Sequence, residues 1–398
     1  MNLATGKHWF ATSTRMDYGP GVLDEISGLI KRLDGRKVLL VTDPNLVQCG
    51  MAEKVVSLLR GQGAAVDIFD QVTTEPTDKH VSAGVLCLKE MAADAIVALG
   101  GGSVLDCGKV INIMAENPGQ VSDYAGIPTK FPHDSPRPVI AIPTTSGTGA
   151  ETAGWASITD TSRSLKMALL SSYMEPEYAL VDPLLTLDLP PRPTAYSGID
   201  ALSQAIESML HRRRSPIAVA LGMHAVGLIS ENLPKAFAHG WDLEARSNMS
   251  TGSLLAGYSK RLGGCVAVHS IANTIGGLHH LPHGLVVGVF LPHVLRFLLP
   301  GDMTLLAQIA QAMGGHTDGM STRDAAEVAI THVDRLLEDI EYPTLSELGI
   351  KEAEIPRIAQ LTMEEAGIGG NPRPMTIEAC EAILRSALAE THSSRLSH

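Results

Sequence analysis

Five short runs in the first half of the chain are rich in β-branched and aliphatic residues: 37–43 (KVLLVTD), 64–70 (AAVDIFD), 94–100 (DAIVALG), 138–144 (PVIAIPT) and 178–183 (YALVDP). A turn and a segment of helical period follow each early run. Continuous apolar runs suit strands buried on both faces, and a spacing of about 30 residues between the first three leaves room for crossover helices. The pattern predicts a parallel, doubly wound sheet with helices on its faces.

After LDLPPRP, which ends at Pro193, the strand signal fades. Helices are predicted over 194–211, 216–237, 243–258, 266–278, 303–313, 321–339 and 376–391, punctuated by proline and glycine. The expected organisation is therefore α/β plus all-α, with an α/β domain over 1–189 and a helical domain over 190–398. Two domains also suit a chain of 398 residues.

Composition narrows the class. Apolar residues are 44% and aromatics only 4%, so the core is built from Ala, Val, Leu, Ile and Met. A formal charge of -12 argues against nucleic acid, whose phosphates need a concentrated basic surface. The one dense basic run, Arg212 to Arg214, reads as a solvated helix end. Five scattered cysteines without a C-x-x-C pair read as reduced thiols. The amino terminus lacks the apolar centre of a signal peptide, and no apolar run reaches the ~18 residues of a membrane span. A cytoplasmic protein with a small-molecule substrate and no membrane partner is expected.

Candidate chemistry starts at Gly100-Gly101-Gly102-Ser103, where a buried strand runs into glycines and then a helix. Glycines let the backbone approach a diphosphate, and the helix aims free N–H groups and its positive dipole end at the anion. This is not the G-x-G-x-x-G fingerprint, and a glycine cluster at a strand end is often only a tight turn. Two features add weight. Pro143-Thr-Thr-Ser-Gly-Thr-Gly149 also follows a strand, and Asp43 ends the first one, where a carboxylate accepts from a ribose 2′-hydroxyl and repels a 2′-phosphate. NAD is favoured over NADP.

These pieces, with VTDP (41–44), ALGGGSVLDCGK (98–109), PTTSGTGAE (143–151), ALVDPLLTLDLPP (179–191), SGIDALSQAIES (197–208) and LPHGLVVGVFLPHV (281–294), make the chain resemble the iron-dependent (group III) alcohol dehydrogenases. The resemblance runs over nearly the whole chain. It implies a dinucleotide-binding α/β domain, a helical domain, an active site in the cleft between them, and a homodimer or larger assembly. It also implies hydride transfer between NAD(H) and a small alcohol or aldehyde. Cofactor contacts would come from Asp43, Gly101, Gly102, Ser103, Asp106, Thr144, Thr145, Ser146, Thr148 and Lys166. Glu75 stands where the family commonly has Asn.

The family's metal ligands are one Asp and three His. Asp200, His269 and His283 match three of them, and Gln204 replaces the His expected one helical turn after Asp200. Asn273 replaces a further His, four residues after His269, thought to relay protons. Two readings stay open. In one, a divalent metal (Fe²⁺ or Zn²⁺) binds through Asp200, Gln204, His269 and His283, an amide oxygen being an acceptable hard ligand. In the other, a positive side chain polarises the carbonyl without metal, as described for maleylacetate reductases.

His279 and His280 lie between two presumed ligands and are candidates to meet nicotinamide or substrate. Lys260 and Arg261 stand where the family places an aromatic and a small polar residue. Facing the site, they would select an anionic tail such as a carboxylate, phosphonate or sulfonate; facing solvent, they would be an ordinary helix end. Dehydroquinate synthases and glycerol-1-phosphate dehydrogenases share the fold but need other ligand motifs. A catalytically idle relative with a binding role is the remaining alternative.

Overall fold

Nothing in the apolar runs of the first half competes with a sheet ladder, and each of them becomes a strand. The computed structural model describes residue 8 and residues 10–73, 75–126, 128–163 and 165–391. It forms two compact units, one of them Ala11–Leu189 and the other including Pro190 onwards. The first unit runs β1 (Arg15–Tyr18), α1 (Ile26–Arg32), β2 (Lys37–Val41), α2 (Pro44–Gln48), α3 (Met51–Arg60), β3 (Ala65–Phe69), α4 (Asp78–Met91), β4 (Ala95–Gly100), α5 (Gly102–Met114), β5 (Val139–Pro143), β6 (Trp155–Asp160), β7 (Leu165–Leu170) and β8 (Tyr178–Val181).

Six strands pair in parallel in the order β1-β8-β5-β4-β2-β3, while β6 and β7 form a separate antiparallel hairpin. Alternate side chains feed the two faces. Val38, Leu40, Val97, Leu99, Ile140 and Ile142 pack with residues of α1 and α3, whereas Leu39, Val41 and Ile96 pack with residues of α4 and α5. Burial on both faces is what erases polar alternation from these strands. Because β2 has β3 on one side and β4 on the other, the strand order reverses there. Open sheets of this kind bind ligands beyond the carboxyl ends at that reversal. Thr42 ties the two neighbours together, its N–H donating to the Phe69 carbonyl at 2.9 Å and its hydroxyl to that of Leu99 at 2.9 Å.

Strands β1, β6 and β7 are not among the sequence expectations. The first is a polar edge strand, RMDY, and LKMALL of β7 has the composition of a helix. Pairing with WASITD overrides that propensity. Lys109 on α5 supports the same region. Its side chain is buried, and its ammonium donates to the carbonyls of Ala150 at 2.9 Å, Ala153 at 3.3 Å and Trp155, and pairs with Asp106 at 2.9 Å. The second Asp106 oxygen accepts the Ser157 N–H at 2.9 Å. One buried ion pair thus fixes both the loop after β5 and the start of the hairpin.

The second unit holds α6 (Pro191–Leu210), α7 (Pro216–Ala238), α8 (Leu243–Gly263), α9 (Ala267–His279), α10 (His283–Leu298), α11 (Met303–Ala312), α12 (Thr322–Asp339), α13 (Ile355–Thr362) and α14 (Ile377–Ala389). Neither α10 nor α13 is among the sequence expectations. HGLVVGVFLPHVLRFL is apolar on every side, so it shows no helical period, yet it fills the core between α6, α9, α12 and α14. By length and composition, α7 and α10 with the turn after it would also pass for membrane spans; most of α10 is buried inside this unit. Residues 198–210 of α6 are all buried. A helix surrounded on all sides that still carries Asp200, Gln204 and Glu207 must find partners for them.

Replacing Lys109 with Met leaves Asp106 and three carbonyls without their cation, so Lys109→Met should lower unfolding stability by about 3–5 kcal/mol. Chemical denaturation of the purified variant measures this directly.

Candidate functional site

At the carboxyl ends of β4 and β5 two loops meet. Gly101 stands at the N-cap of α5 and has no side chain with which to cap it, so the first amides of that helix point outward from backbone alone. A Cβ on Gly102 would come within 2.5 Å of the Thr148 side chain, and one on Gly101 within 3.5 Å of Thr145. The Thr144 N–H donates to the Gly100 carbonyl at 3.0 Å. Gly101, Gly102, Thr144, Thr145 and Thr148 are therefore brought together, with Ser103 in the first turn of α5 and Ser146 buried in the facing loop.

Asp43 caps α2: its Oδ1 accepts the N–H groups of Asn45 at 2.8 Å and Leu46 at 3.1 Å. Lys166 on β7 pairs with Glu75 at 3.8 Å, so the residue that departs from the family pattern is matched by a cation. Asp106, expected at the cofactor, serves the framework through Lys109 and Ser157.

The second cluster lies wholly in the helical unit. Asp200 and Gln204 project from one face of α6, His269 from α9, and His283 from the first turn of α10. The His269 Nε2 lies 3.3 Å from the Asp200 Oδ1, the His283 Nε2 lies 3.8 Å from the same oxygen, and the rings meet edge to face at 5.2 Å. Gln204 donates its amide nitrogen to the Asp200 Oδ2 at 2.9 Å. A carboxylate only accepts, so the amide oxygen is the atom left over. Asp200 Oδ1, Gln204 Oε1 and His269 Nε2 are buried and make no hydrogen bond. Ligand atoms of Asp200, His269 and His283 all fall within 4.8 Å of one another, close enough to hold one metal ion.

Burial alone would raise the Asp200 carboxyl. The His269 imidazole 3.3 Å away and the charges of His283 and Lys260 instead bring it down to about 2. His269 is moved well above the ordinary imidazole range: burial opposes this, but the Cys265 and Glu207 charges and the nearby Asp200 carboxylate outweigh it.

Other expected residues are placed differently. Asn273 donates to Glu365 at 3.1 Å, and His279 pairs with Glu354 at 3.1 Å. Ten residues of helix separate His279 from His269, roughly 15 Å along the axis, because an α-helix rises 1.5 Å per residue. His280 is exposed in a left-handed conformation at the end of α9. Neither histidine joins the cluster. Lys260 acts on Asp200, but Arg261 follows it in the same helix, and successive helical residues do not share a face.

Sequence reasoning missed Glu207, which holds His269, and Lys109. The spacing Asp200, Gln204, Glu207 along one helix face was the available signal. A cavity of about 580 Å³ lies elsewhere in the helical unit, among Arg296, Asp334, Arg323 and Glu327, and no expected residue lines it. Its charges pair with one another, Arg296 with Asp334 at 2.5 Å and Arg323 with Glu327 at 3.4 Å.

Residues 13–183 match the iron-containing alcohol dehydrogenases, and residues 194–388 match the C-terminal part of the same family. The chain belongs to the iron-containing alcohol dehydrogenase family. It is an oxidoreductase of the alcohol dehydrogenase kind. The NAD-dependent methanol dehydrogenase of Bacillus methanolicus is 37% identical over 372 residues, covering 93% of this chain and 97% of that one. A solved 1,3-propanediol oxidoreductase superposes with a TM-score of 0.93 at 36% identity, over 96% of this chain and 100% of that chain. The sulfoacetaldehyde reductase of Bifidobacterium kashiwanohense, solved in complex with NAD+, gives a TM-score of 0.88 at 25% identity, over 97% and 100%.

Within this family member, Gly284 seats His283. A Cβ there would lie 2.3 Å from the backbone oxygen of Tyr196 on α6, and the Gly284 carbonyl accepts the Tyr342 hydroxyl. Gly284→Ala should push α10 off α6 and cost about 1–3 kcal/mol. A lowered melting temperature together with weaker retention of added Zn²⁺ is the expected result.

Proposed function

We propose that the chain passes a hydride between NAD(H) and the carbonyl or alcohol carbon of a small substrate, with a divalent cation at Asp200, Gln204, His269 and His283. The observation that carries this reading is the gathering of Asp200, His269 and His283 ligand atoms within 4.8 Å of one another, with Asp200 Oδ1 and His269 Nε2 buried and unsatisfied and Gln204 bonded to Asp200. Buried polar atoms without partners are costly, and their clustering with a further imidazole is the mark of a ligand set. A carboxylate, an amide oxygen and two imidazoles suit Fe²⁺ or Zn²⁺. NAD(H) supplies the hydride, and a bound cation supplies the Lewis acidity that polarises the carbonyl oxygen.

The chain's own groups do the rest. The α5 amides at Gly101, Gly102 and Ser103 receive the diphosphate, flanked by Thr144, Thr145, Ser146 and Thr148. Asp43 spends Oδ1 on its helix cap and keeps Oδ2 for the ribose hydroxyls, which selects NAD over NADP. Lys166, paired with Glu75, is assigned to the cofactor as well. Lys260 favours a substrate whose tail is anionic, and the likeness to a sulfoacetaldehyde reductase supports that choice. We place the protein in the cytoplasm, where its five cysteines, all free, stay reduced, and as a homo-oligomer.

A second reading has its own observation: the Lys260 charge already acts on Asp200, so a cation is present without metal. Chelation separates the two. NADH oxidation with short aldehydes, followed by absorbance, should be abolished by EDTA and restored by Fe²⁺ or Zn²⁺; activity indifferent to EDTA supports Lys260 as the electrophile. Gln204→His should tighten the metal about tenfold or more, since the imidazole is the stronger donor.

Lys260→Ala should lower kcat/KM for carboxylate- or sulfonate-bearing aldehydes by roughly 1.5–3 kcal/mol, the range for a charged hydrogen bond. Neutral aldehydes should be spared, and equal loss on both classes contradicts the anion preference.

A further inference from the structure

Glu207 is fully buried on α6, yet every acceptor position it offers is used. Its Oε1 accepts the Ser203 hydroxyl at 2.8 Å and bonds the His269 Nδ1. Its Oε2 accepts the backbone N–H of Val266 at 2.8 Å and, more weakly, that of His269 at 3.4 Å. Val266 is the N-cap of α9 and has no capping side chain, so a carboxylate on another helix supplies the cap. One side chain thereby holds both the start of α9 and the ring that α9 presents.

The thiol of Cys265 lies with Glu207 and His269 in a group whose ligand atoms fall within 4.8 Å of one another. That group is not a second cation site, because four donors already occupy the Glu207 oxygens. The contrast with Asp200 is direct: Asp200 leaves an oxygen unbonded, and Glu207 leaves none.

We propose that Glu207 is the positioning residue that makes His269 a ligand, by holding the proton on Nδ1 so that Nε2 faces the Asp200 and His283 side with its lone pair free. This rests on the cation reading of that cluster. An imidazole has one proton when neutral, and the partner of one nitrogen decides what the other can do. Carboxylate–histidine–metal arrangements work this way, and losing the outer carboxylate typically costs 10–100-fold in affinity.

An amide cannot replace this carboxylate. If the nitrogen of Gln at 207 faces Nδ1, the ring must carry its proton on Nε2, where the ion would bind. If it faces Val266, two donors confront each other and the α9 cap is lost.

The test is Glu207→Gln, with affinity for Co²⁺ and Zn²⁺ measured on the full chain by competition with a chromogenic chelator, and with the visible Co²⁺ spectrum as a second readout. The expected result is a folded variant whose affinity falls by about 10–100-fold and whose Co²⁺ bands shift. A folded variant with native affinity and spectrum overturns the role of Glu207 alone. Wild-type chain that takes up neither ion overturns the cation reading, and this proposal with it.

Should the variant fail to fold, ¹⁵N NMR of zinc-loaded wild type labelled at histidine reads the same point, with His269→Gln assigning the resonance. A protonated Nδ1 on His269 supports the proposal. A protonated Nε2, or zinc on Nδ1, overturns it.

Discussion

A carboxylate buried at the middle of a helix has to be answered by other charges or by an ion, and the helical unit is arranged around that requirement. Asp200 is 2% exposed. Left alone it would take up a proton, since burial penalises its charged form. Instead two imidazoles, a primary amide and the Lys260 charge keep it ionised. Four helices, α6, α8, α9 and α10, provide these groups. Their close approach depends on small residues: Gly198 against Leu233, Gly263 against the Ser208 carbonyl, and Gly284 against Tyr196. The groups around Asp200 are incompletely satisfied, whereas those around Glu207, about two turns further along the same helix face, are complete.

The α/β unit solves a different problem with the same economy of parts. An anion site made of backbone amides needs its loops close together, and here Gly102 and Thr148 touch where any Cβ would collide. The loops are braced from behind by Lys109, whose ammonium is spread over carbonyls and the Asp106 carboxylate. A charge so deeply buried is tolerated because each of its donors is used. Glu75 and Lys166 extend the pattern: a departure in one residue is matched by its neighbour across space.

Much of this could be read from the chain. Buried parallel strands announce themselves as continuous apolar runs, and the helices of the second half carry period and punctuation. The misses have physical causes. Helix α10 is apolar on all sides and shows no period, and β7 reads as helix until its partner strand is present. Among site residues, Asp200, Gln204, His269 and His283 were legible because they lie in motifs, and the structure gathers them. His279 and His280 were attractive for their place between ligands in sequence; His279 pairs with Glu354, and His280 is exposed at the end of α9. Asp106, read from its motif as a cofactor contact, also braces the framework through Lys109 and Ser157. Glu207 and Lys109 act through partners far along the chain, 59 and 41 residues away for the Val266 and Ala150 bonds. Composition and spacing cannot reveal such partners.

The central claim is that the unbonded atoms of Asp200, Gln204 and His269, with His283, form one divalent cation site despite the missing third histidine. Anomalous diffraction at the zinc edge, from crystals of the full chain grown with Zn²⁺, tests it most directly. The account predicts a single strong peak within bonding distance of Asp200 Oδ1, Gln204 Oε1, and the Nε2 atoms of His269 and His283. No peak there, or a peak that leaves Gln204 out, contradicts it.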